Sequence, residues 1–197
     1  LLTSVYAVLL DVNVQSMFAR SAAGMLSEMF DTEVRIKTFY IKPDLRIHAE
    51  ELQMNDKSND TMFYVGTING KFSLRELRKE PRIKNLYIDD VLINIVKYEN
   101  EQFSNIAEIF GNKGNKEKKD FNSLIHLDEL NINNGHVIIW NQNKNPRMTG
   151  MDYSHIDVDS IYLALRDVSF TGDTITGYFD KLTAQEKSGF VIDDFRF

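Results

Sequence analysis

The chain has 197 residues, 43% of them hydrophobic, no cysteine and a formal net charge of −6 at pH 7. It is long enough to bury a core and carries no low-complexity block large enough to signal general disorder. The acidic balance excludes a nucleic-acid module, because neutralising phosphates takes a basic face; the missing cysteines exclude disulfides, thiolate metal sites and cysteine nucleophiles, without identifying a compartment.

Leu1 to Leu10, LLTSVYAVLL, is an uncharged apolar run, about half of the roughly 20 residues that a membrane-spanning helix needs. It reads as a buried strand or helix start, or as the C-terminal half of a signal anchor whose cytoplasmic half is missing. The opening on Leu1 in mid-run, with no methionine, favours the anchor. From Asp11 to Phe30, Val14, Met17, Phe18, Ala22, Met25, Leu26, Met29 and Phe30 fall at helical spacing, with Asp11 or Asn13 as N-cap. This predicts one amphipathic helix, which covers a sheet, plugs an apolar groove or lies on a membrane surface.

After Thr32 the period becomes that of strands, and β-branched and aromatic residues take over. A repeat appears: Ile83, Leu86, Ile88 and Ile93 are matched in spacing by Leu127, Leu130, Ile132 and Val137, and by Leu165, Val168, Phe170 and Ile175. Ile36, Phe39, Ile41 and Leu45 follow the same rule with a turn shorter by one residue. Polar turn formers fill each gap: Lys42-Pro43-Asp44, Asp89-Asp90, Asn133-Asn134-Gly135 and Thr171-Gly172-Asp173. Each unit therefore reads as two strands joined by a tight turn. The step of three inside a period of two requires a bulge or strand junction to keep the apolar side chains on one face. Ile192, Phe195 and Phe197 begin the same spacing again, so further β-units are expected beyond residue 197; otherwise an apolar edge would lack a partner.

Two short helices are expected between strands. Ser73 and Glu76 form a capping box that opens a helix over Phe72 to Glu80, which Pro81 ends. Ser104 to Phe110, closed by Gly111, is the other. Gly111 to Asp120, GNKGNKEKKD, reads as a flexible basic loop, solvated or touching lipid headgroups through Lys113, Lys116, Lys118 and Lys119.

Signals for catalysis are missing: the sequence has no Gly-rich phosphate loop, no GxSxG and no HExxH. His48, His126, His136 and His155 lie in or beside predicted strands and turns and read as solvent-facing, with no zinc site. Asp152, Asp157 and Asp159 lack the EF-hand pattern and read as the wet face of a strand. Trp140 reads as a strand residue packed on the core, with sugar stacking as the alternative. The chain is thus expected to be mainly β with a few helices, of α+β class. Its β-hairpin units would form a curved antiparallel sheet with too little helical cover for its apolar face, which points to an apolar groove.

Several stretches resemble the N-terminal region of the AsmA-like family, most closely its TamB branch. They are VQSMFARSAAGMLSEMFDTEVRI, a helix followed by a first strand, then IKNLYIDDVLINI, LIHLDELNINNGHVIIW and LTAQEKSGFVIDDF, in which Glu186 to Phe190 is the most family-like string. The resemblance covers nearly the whole chain through apolar patterns with few fixed letters, and it departs at Asp31, where glycine is expected after the helix. It implies a U-shaped β-sheet, as in bridge-like lipid transfer proteins, that carries phospholipid acyl chains along an apolar channel. It implies anchoring in the inner membrane of a diderm bacterium and extension through the periplasm. It also implies a link to outer-membrane biogenesis and an outer-membrane barrel partner contacted by a C-terminal part absent here. No catalytic residues or cofactors follow from it.

The expected organisation is the end of an anchor over 1–10, a helix and first β-units over 11–110, the basic loop over 111–120 and further β-units over 121–197. Phe39, Ile41, Leu86, Ile88, Leu130, Ile132, Val168, Phe170, Phe195 and Phe197 are the lining candidates, each readable also as ordinary core under the helices. An apolar channel lowers the barrier for a lipid leaving a bilayer, at about 0.8 kcal/mol per buried CH₂. The alternative from another class is a non-enzymatic assembly or secretion scaffold that binds polypeptides by β-augmentation.

Overall fold

The computed structural model describes residues 12–30, 32–42, 44, 46–72, 82–110, 125–171 and 174–196. The run 1–10, the helix expected from Ser73 to Glu80, the loop 111–120 and Phe197 lie outside them. Helix α1 (Val12–Phe30) leads into β1 (Val34–Ile41), β2 (Arg46–Asn55), β3 (Thr61–Phe72) and β4 (Arg82–Lys97); Phe72, expected to start a helix, ends β3. Helix α2 (Asn105–Phe110) follows, then β5 (Ile125–Asn141), β6 (His155–Thr171), β7 (Thr174–Glu186) and β8 (Val191–Phe195). The protein is mainly β, and its eight strands form one curved open sheet in chain order.

Two expectations are corrected. The sheet is not wholly antiparallel: β4 and β5 run parallel, while the other six neighbouring pairs are antiparallel. The repeat units are also not all hairpins. Lys42 does turn the chain between β1 and β2, its N–H donating to the Arg46 carbonyl at 2.7 Å, and Thr171 pairs with Thr174 across the β6 to β7 connection. Asp89-Asp90 and Asn133-Asn134-Gly135, however, lie inside the unbroken strands β4 and β5.

The reason lies in the backbone. Asp90 and Asn134 hold φ of 57° and 51°, the left-handed region that Asp and Asn tolerate better than other side-chain-bearing residues. The chemistry that makes a turn here makes a bend within a strand. Glu51 on β2 (φ 49°) and Ser160 on β6 (φ 52°) adopt the same conformation. The register places Glu51 opposite Gly66 on β3, Gly66 opposite Asp90, and Asp90 beside Asn134, with Ser160 displaced slightly along β6. A crease thus crosses β2 to β6, and local bends of this kind let a sheet curve without losing its ladder. Polar side chains run along it: Thr67 Oγ1 donates to Asp89 Oδ2 at 3.3 Å, and Asn133 Nδ2 donates to Asp89 Oδ1 at 2.8 Å.

The expected bulge at the step of three is found in β4. Asn85 pairs with Lys71 and Ile83 with Phe72, leaving Lys84 as the extra residue. On β6, Asp167 (φ 50°) marks one of three register shifts against β7.

The buried core centres on Val34, Met54 and Met62, with Leu26 of α1 and Ile106 and Ile109 of α2 packed against it. Fully burying a side chain of this size contributes about 1.5–3 kcal/mol. Helix α1 is tied to β1 where Val34 N–H donates to Ser27 Oγ at 2.8 Å, and its end closes as Thr32 N–H donates to the Ser27 carbonyl at 3.3 Å. Ser104, expected as the first residue of this helix, stands just before it and caps it, its Oγ accepting Ala107 N–H at 3.4 Å. Asn105, buried at 3% exposure, accepts Val96 N–H at 2.9 Å and donates to Asp56 Oδ2 at 3.0 Å, locking α2 onto the sheet.

Candidate functional site

Laterally paired residues of a sheet project from the same face, so strand register reveals which side chains form a surface. One line of pairs crosses all eight strands: Phe39, Ala49, Ile68, Ile88, Ile132, Leu163, Leu182 and Phe195. Every member is apolar. A second line, two residues along, joins Ile41, Ile47, Gly70, Leu86, Leu130, Leu165 and Phe179. A third runs from Phe72 through Ile83 and Leu127 to Val168. A Cβ at Gly70 would come within 3.1 Å of Ile47 and 3.2 Å of Leu86, so these residues do share a face.

Beyond the crease the apolar lines continue with their parity reset. Ile36, Leu52, Val65 and Val91 meet Gly135 and Ile161, and Val34, Met54, Phe63, Ile93, Val137 and Val158 lie next. Glu51, Asp90 and Asn134 stand where the lines step by three past the crease, from Ala49 to Leu52, Ile88 to Val91 and Ile132 to Gly135, so they absorb the change that would otherwise turn these lines onto the other face.

Of the ten lining candidates, Phe39, Ile88, Ile132 and Phe195 share the first line, Ile41, Leu86 and Leu130 the second, and Val168 the third. Phe170 pairs with Ile125 and Ile175; Phe197 lies outside the described residues. Val168 is buried at 1% exposure, whereas Phe195 is 47% exposed. Cover is uneven: Val34 and Met54 near α1 and Leu127 and Val168 on β5 and β6 are buried, while Ile175, Phe179 and Phe195 on β7 and β8 are exposed. Phe179 and Phe195 meet edge to face, with ring centroids 6.4 Å apart.

Ala49, Ile68, Leu163 and Leu182 were missed because their membership depends on pairing. One signal was available. The parallel pairs Ile83 with Leu127, Leu86 with Leu130, Ile88 with Ile132 and Ile93 with Val137 are the repeat itself, laid side by side. A constant spacing between two units is what an in-register parallel pair requires, and hairpin units do not use it.

Among the described residues each histidine lies beside a carboxylate. His48 lies 2.9 Å from Glu50, His126 3.4 Å from Asp128, His136 2.7 Å from Asp157 and His155 2.8 Å from Asp152. His155 does not face solvent as expected; its side chain is 4% exposed, with Nε2 3.0 Å from the Asn141 carbonyl. Asp152 is not on a strand but in the β5 to β6 connection. Backbone N–H groups of Arg147 and Ser154, together with His155, hold its pKa down to about 2. The bonds from His136 and Lys187 likewise lower that of Asp157. Trp140 is not core; it is 42% exposed and its ring meets that of His155 edge-on, with centroids 4.3 Å apart. Among the described residues no group of three or more metal-ligating side chains comes together, and no helix is long and apolar enough to cross a membrane.

Compared with known proteins, the chain matches no family model and no curated protein.

Proposed function

We propose that the creased sheet presents its apolar lines as a trough that conducts phospholipid acyl chains. The observation that carries this reading is the uncharged line from Phe39 to Phe195, which crosses every strand. Seven inter-strand steps of about 4.8 Å make a path of roughly 34 Å, longer than the half of a ~30 Å hydrocarbon core that one leaflet occupies. An acyl chain lying along it exchanges one apolar environment for another and avoids the about 0.8 kcal/mol per CH₂ that exposure to water would cost. In this reading the chain is not an enzyme and uses no cofactor. By resemblance alone, it belongs in the periplasm, anchored in the inner membrane, and serves lipid passage to the outer membrane with an outer-membrane barrel partner.

The test is native mass spectrometry with lipid extraction on the chain produced in a bacterial periplasm, beside Ile132→Asp, Phe179→Asp and Ala164→Asp. Ala164 lies between Leu163 and Leu165, opposite Asn131 and Lys181, and so faces away from the apolar lines. Retained phospholipid in the wild type and in Ala164→Asp, lost in the other two while circular dichroism is unchanged, supports the trough. A lipid-free, folded wild type overturns it. A second reading rests on β8, which among the described residues pairs only with β7 and leaves Val191 and Phe195 about half exposed. There, a partner polypeptide adds a strand at that edge; lipid-free protein that captures an extended peptide along β8 favours it.

A further inference from the structure

The opposite face of the sheet carries a different chemistry. Between the apolar lines run Tyr40, His48, Asn69 and Tyr87, and next to them Arg46, Lys71 and Asn85. Where these lines reach the strand ends, a cleft of about 430 Å³ has a polar wall of Lys42, Arg46, Asn69, Lys71, Asn85 and Tyr87 with His48 behind them, and is bordered also by Ile47 and Gly70 of the second apolar line. That volume lies in the range of small-molecule sites.

The charges in the cleft do not cancel. Asp44 is the partner of Arg46 at 2.6 Å, and Glu50 that of His48 at 2.9 Å. Lys42 and Lys71 have no ion-pair partner among the described residues; Lys42 Nζ lies 5.7 Å from the centre of the Tyr40 ring. Asn69 turns its Oδ1 to His48 Nδ1 at 2.7 Å, which leaves its NH₂ to donate. The surroundings lean the same way. This end of β1 to β4 carries Lys42, Arg46, Lys71, Arg82 and Lys84 against Asp44, with Asp128 of β5 paired to Arg82 and Glu129 of β5 accepting from Asn85, whereas the other end carries Glu33, Asp56, Asp60, Glu99 and Glu101 against Arg35, Lys57 and Lys97. In a chain with a net charge of −6, such segregation draws anions to one end of the sheet.

We propose that this cleft binds a phosphate group on a compact organic ligand. Lys42 and Lys71 supply two point charges, Arg46 a planar donor array and Asn69 a neutral donor, the combination suited to phosphate oxygens; Tyr87 offers a flat wall for the organic part. The phosphate belongs to a lipid headgroup or to a free phosphorylated molecule. Its polar donors lie on the face opposite the trough, and the site does not depend on the lipid reading.

The experiment titrates the whole chain with sn-glycerol 3-phosphate, with dihexanoyl phosphatidylglycerol below its micelle concentration, and with glycerol, followed by amide chemical shifts. Lys42→Gln/Lys71→Gln is the test variant; Lys144→Gln, at the far end of the sheet, and Ile132→Asp, in the trough, are controls. Saturable shifts near Lys71 and Asn85, weakened about tenfold in the double variant and by added salt but unchanged in both controls, support the site. Tighter binding of the phosphatidylglycerol identifies a headgroup as the source, and equal or tighter binding of the glycerol phosphate a free ligand. Equal affinity in the double variant, binding of glycerol as strong as that of its phosphate, or no binding of either phosphate overturns the proposal. Loss of lipid retention in Ile132→Asp with phosphate binding intact separates the two faces.

Discussion

Asn134 stands beside Asp90, forty-four residues earlier in the chain, and donates its Nδ2 to the Asp90 carboxylate while both hold the left-handed backbone. That conformation is open to Asn, Asp and Gly and costs a β-branched residue about 1–2 kcal/mol. Asn134→Val is therefore expected to lower the urea-unfolding free energy by roughly that amount plus the lost hydrogen bond, about 1 kcal/mol more. Asn134→Gly, which keeps the backbone but not the bond, is expected to lose only about 1 kcal/mol. Equal losses in the two variants would show that the crease is held by side chains alone.

Gly66 is the crease residue of β3, and a Cβ there would lie 2.8 Å from Asp90 Cβ. That neighbour is fixed close to its own backbone and cannot swing away. Gly66→Ala is expected to cost about 1–3 kcal/mol by overpacking. Gly70→Ala, whose nearest atoms are side-chain carbons of Ile47 and Leu86, is expected to cost less. Thermal melts of the two variants give the order, and a lower melting temperature for Gly70→Ala would contradict it.

Tyr98 Oη lies 2.7 Å from Asp56 Oδ2 and 2.8 Å from Asp60 Oδ2. Burial, then the bonds to these carboxylates, raises the phenol pKa above its ordinary value of 10.0. A folded-state pKa above the unfolded one gives stability that is fully present below pH ~10 and is lost as pH rises above it. Tyr98→Phe is expected to lose about 1.5–3 kcal/mol at neutral pH, the usual scale for a bond to a charged group, and to show a smaller further loss between pH 9 and 11. Parallel alkaline curves for wild type and variant would refute the assignment.

For Asp152 the sign is reversed. Its carboxyl is held down to about 2, so its contribution is present above the unfolded value near 3.9 and fades as pH falls toward 2. The chain's single tryptophan, Trp140, meets His155, which is bonded to Asp152. Trp140 emission is expected to change between pH 4 and pH 2, before global unfolding followed by circular dichroism. Asp152→Asn is expected to show the acid-type emission already at neutral pH; unchanged emission in the variant would remove Asp152 from the loop's support.

The alternation of apolar residues, the helix before β1 and the short helix that ends at Phe110 were legible because each depends on near neighbours in the chain. The bulge at Lys84 was legible as well, since a step of three cannot be housed in a flat strand. Asp89-Asp90 and Asn133-Asn134 were misread for a physical reason: the residue types that tolerate a left-handed backbone are the same in a tight turn and in a strand bend. What distinguishes the two is whether a neighbouring strand continues past the site, which is a property of the sheet. The parallel joint was hidden likewise, although the spacing from Ile83 to Leu127 carried it. Pairings such as Asp152 with His155 and Tyr98 with two aspartates depend on loop paths for which one sequence holds no periodic signal.

The parallel joint between β4 and β5 also has a kinetic consequence. Every other strand pair is adjacent in the chain and connected antiparallel, so residues 12–97 and 125–195 each contain a four-stranded meander built from contacts local in sequence. Closing a loop costs entropy that grows with its length, and distant pairings form late. The two meanders are therefore expected to collapse as separate units and to dock along β4 and β5 in the slow step. A refolding experiment should then reveal protected amides in β2, β3, β6 and β7 before those in the β4 to β5 ladder, and substitutions in that ladder should slow folding more than equally destabilising ones at the sheet's edges.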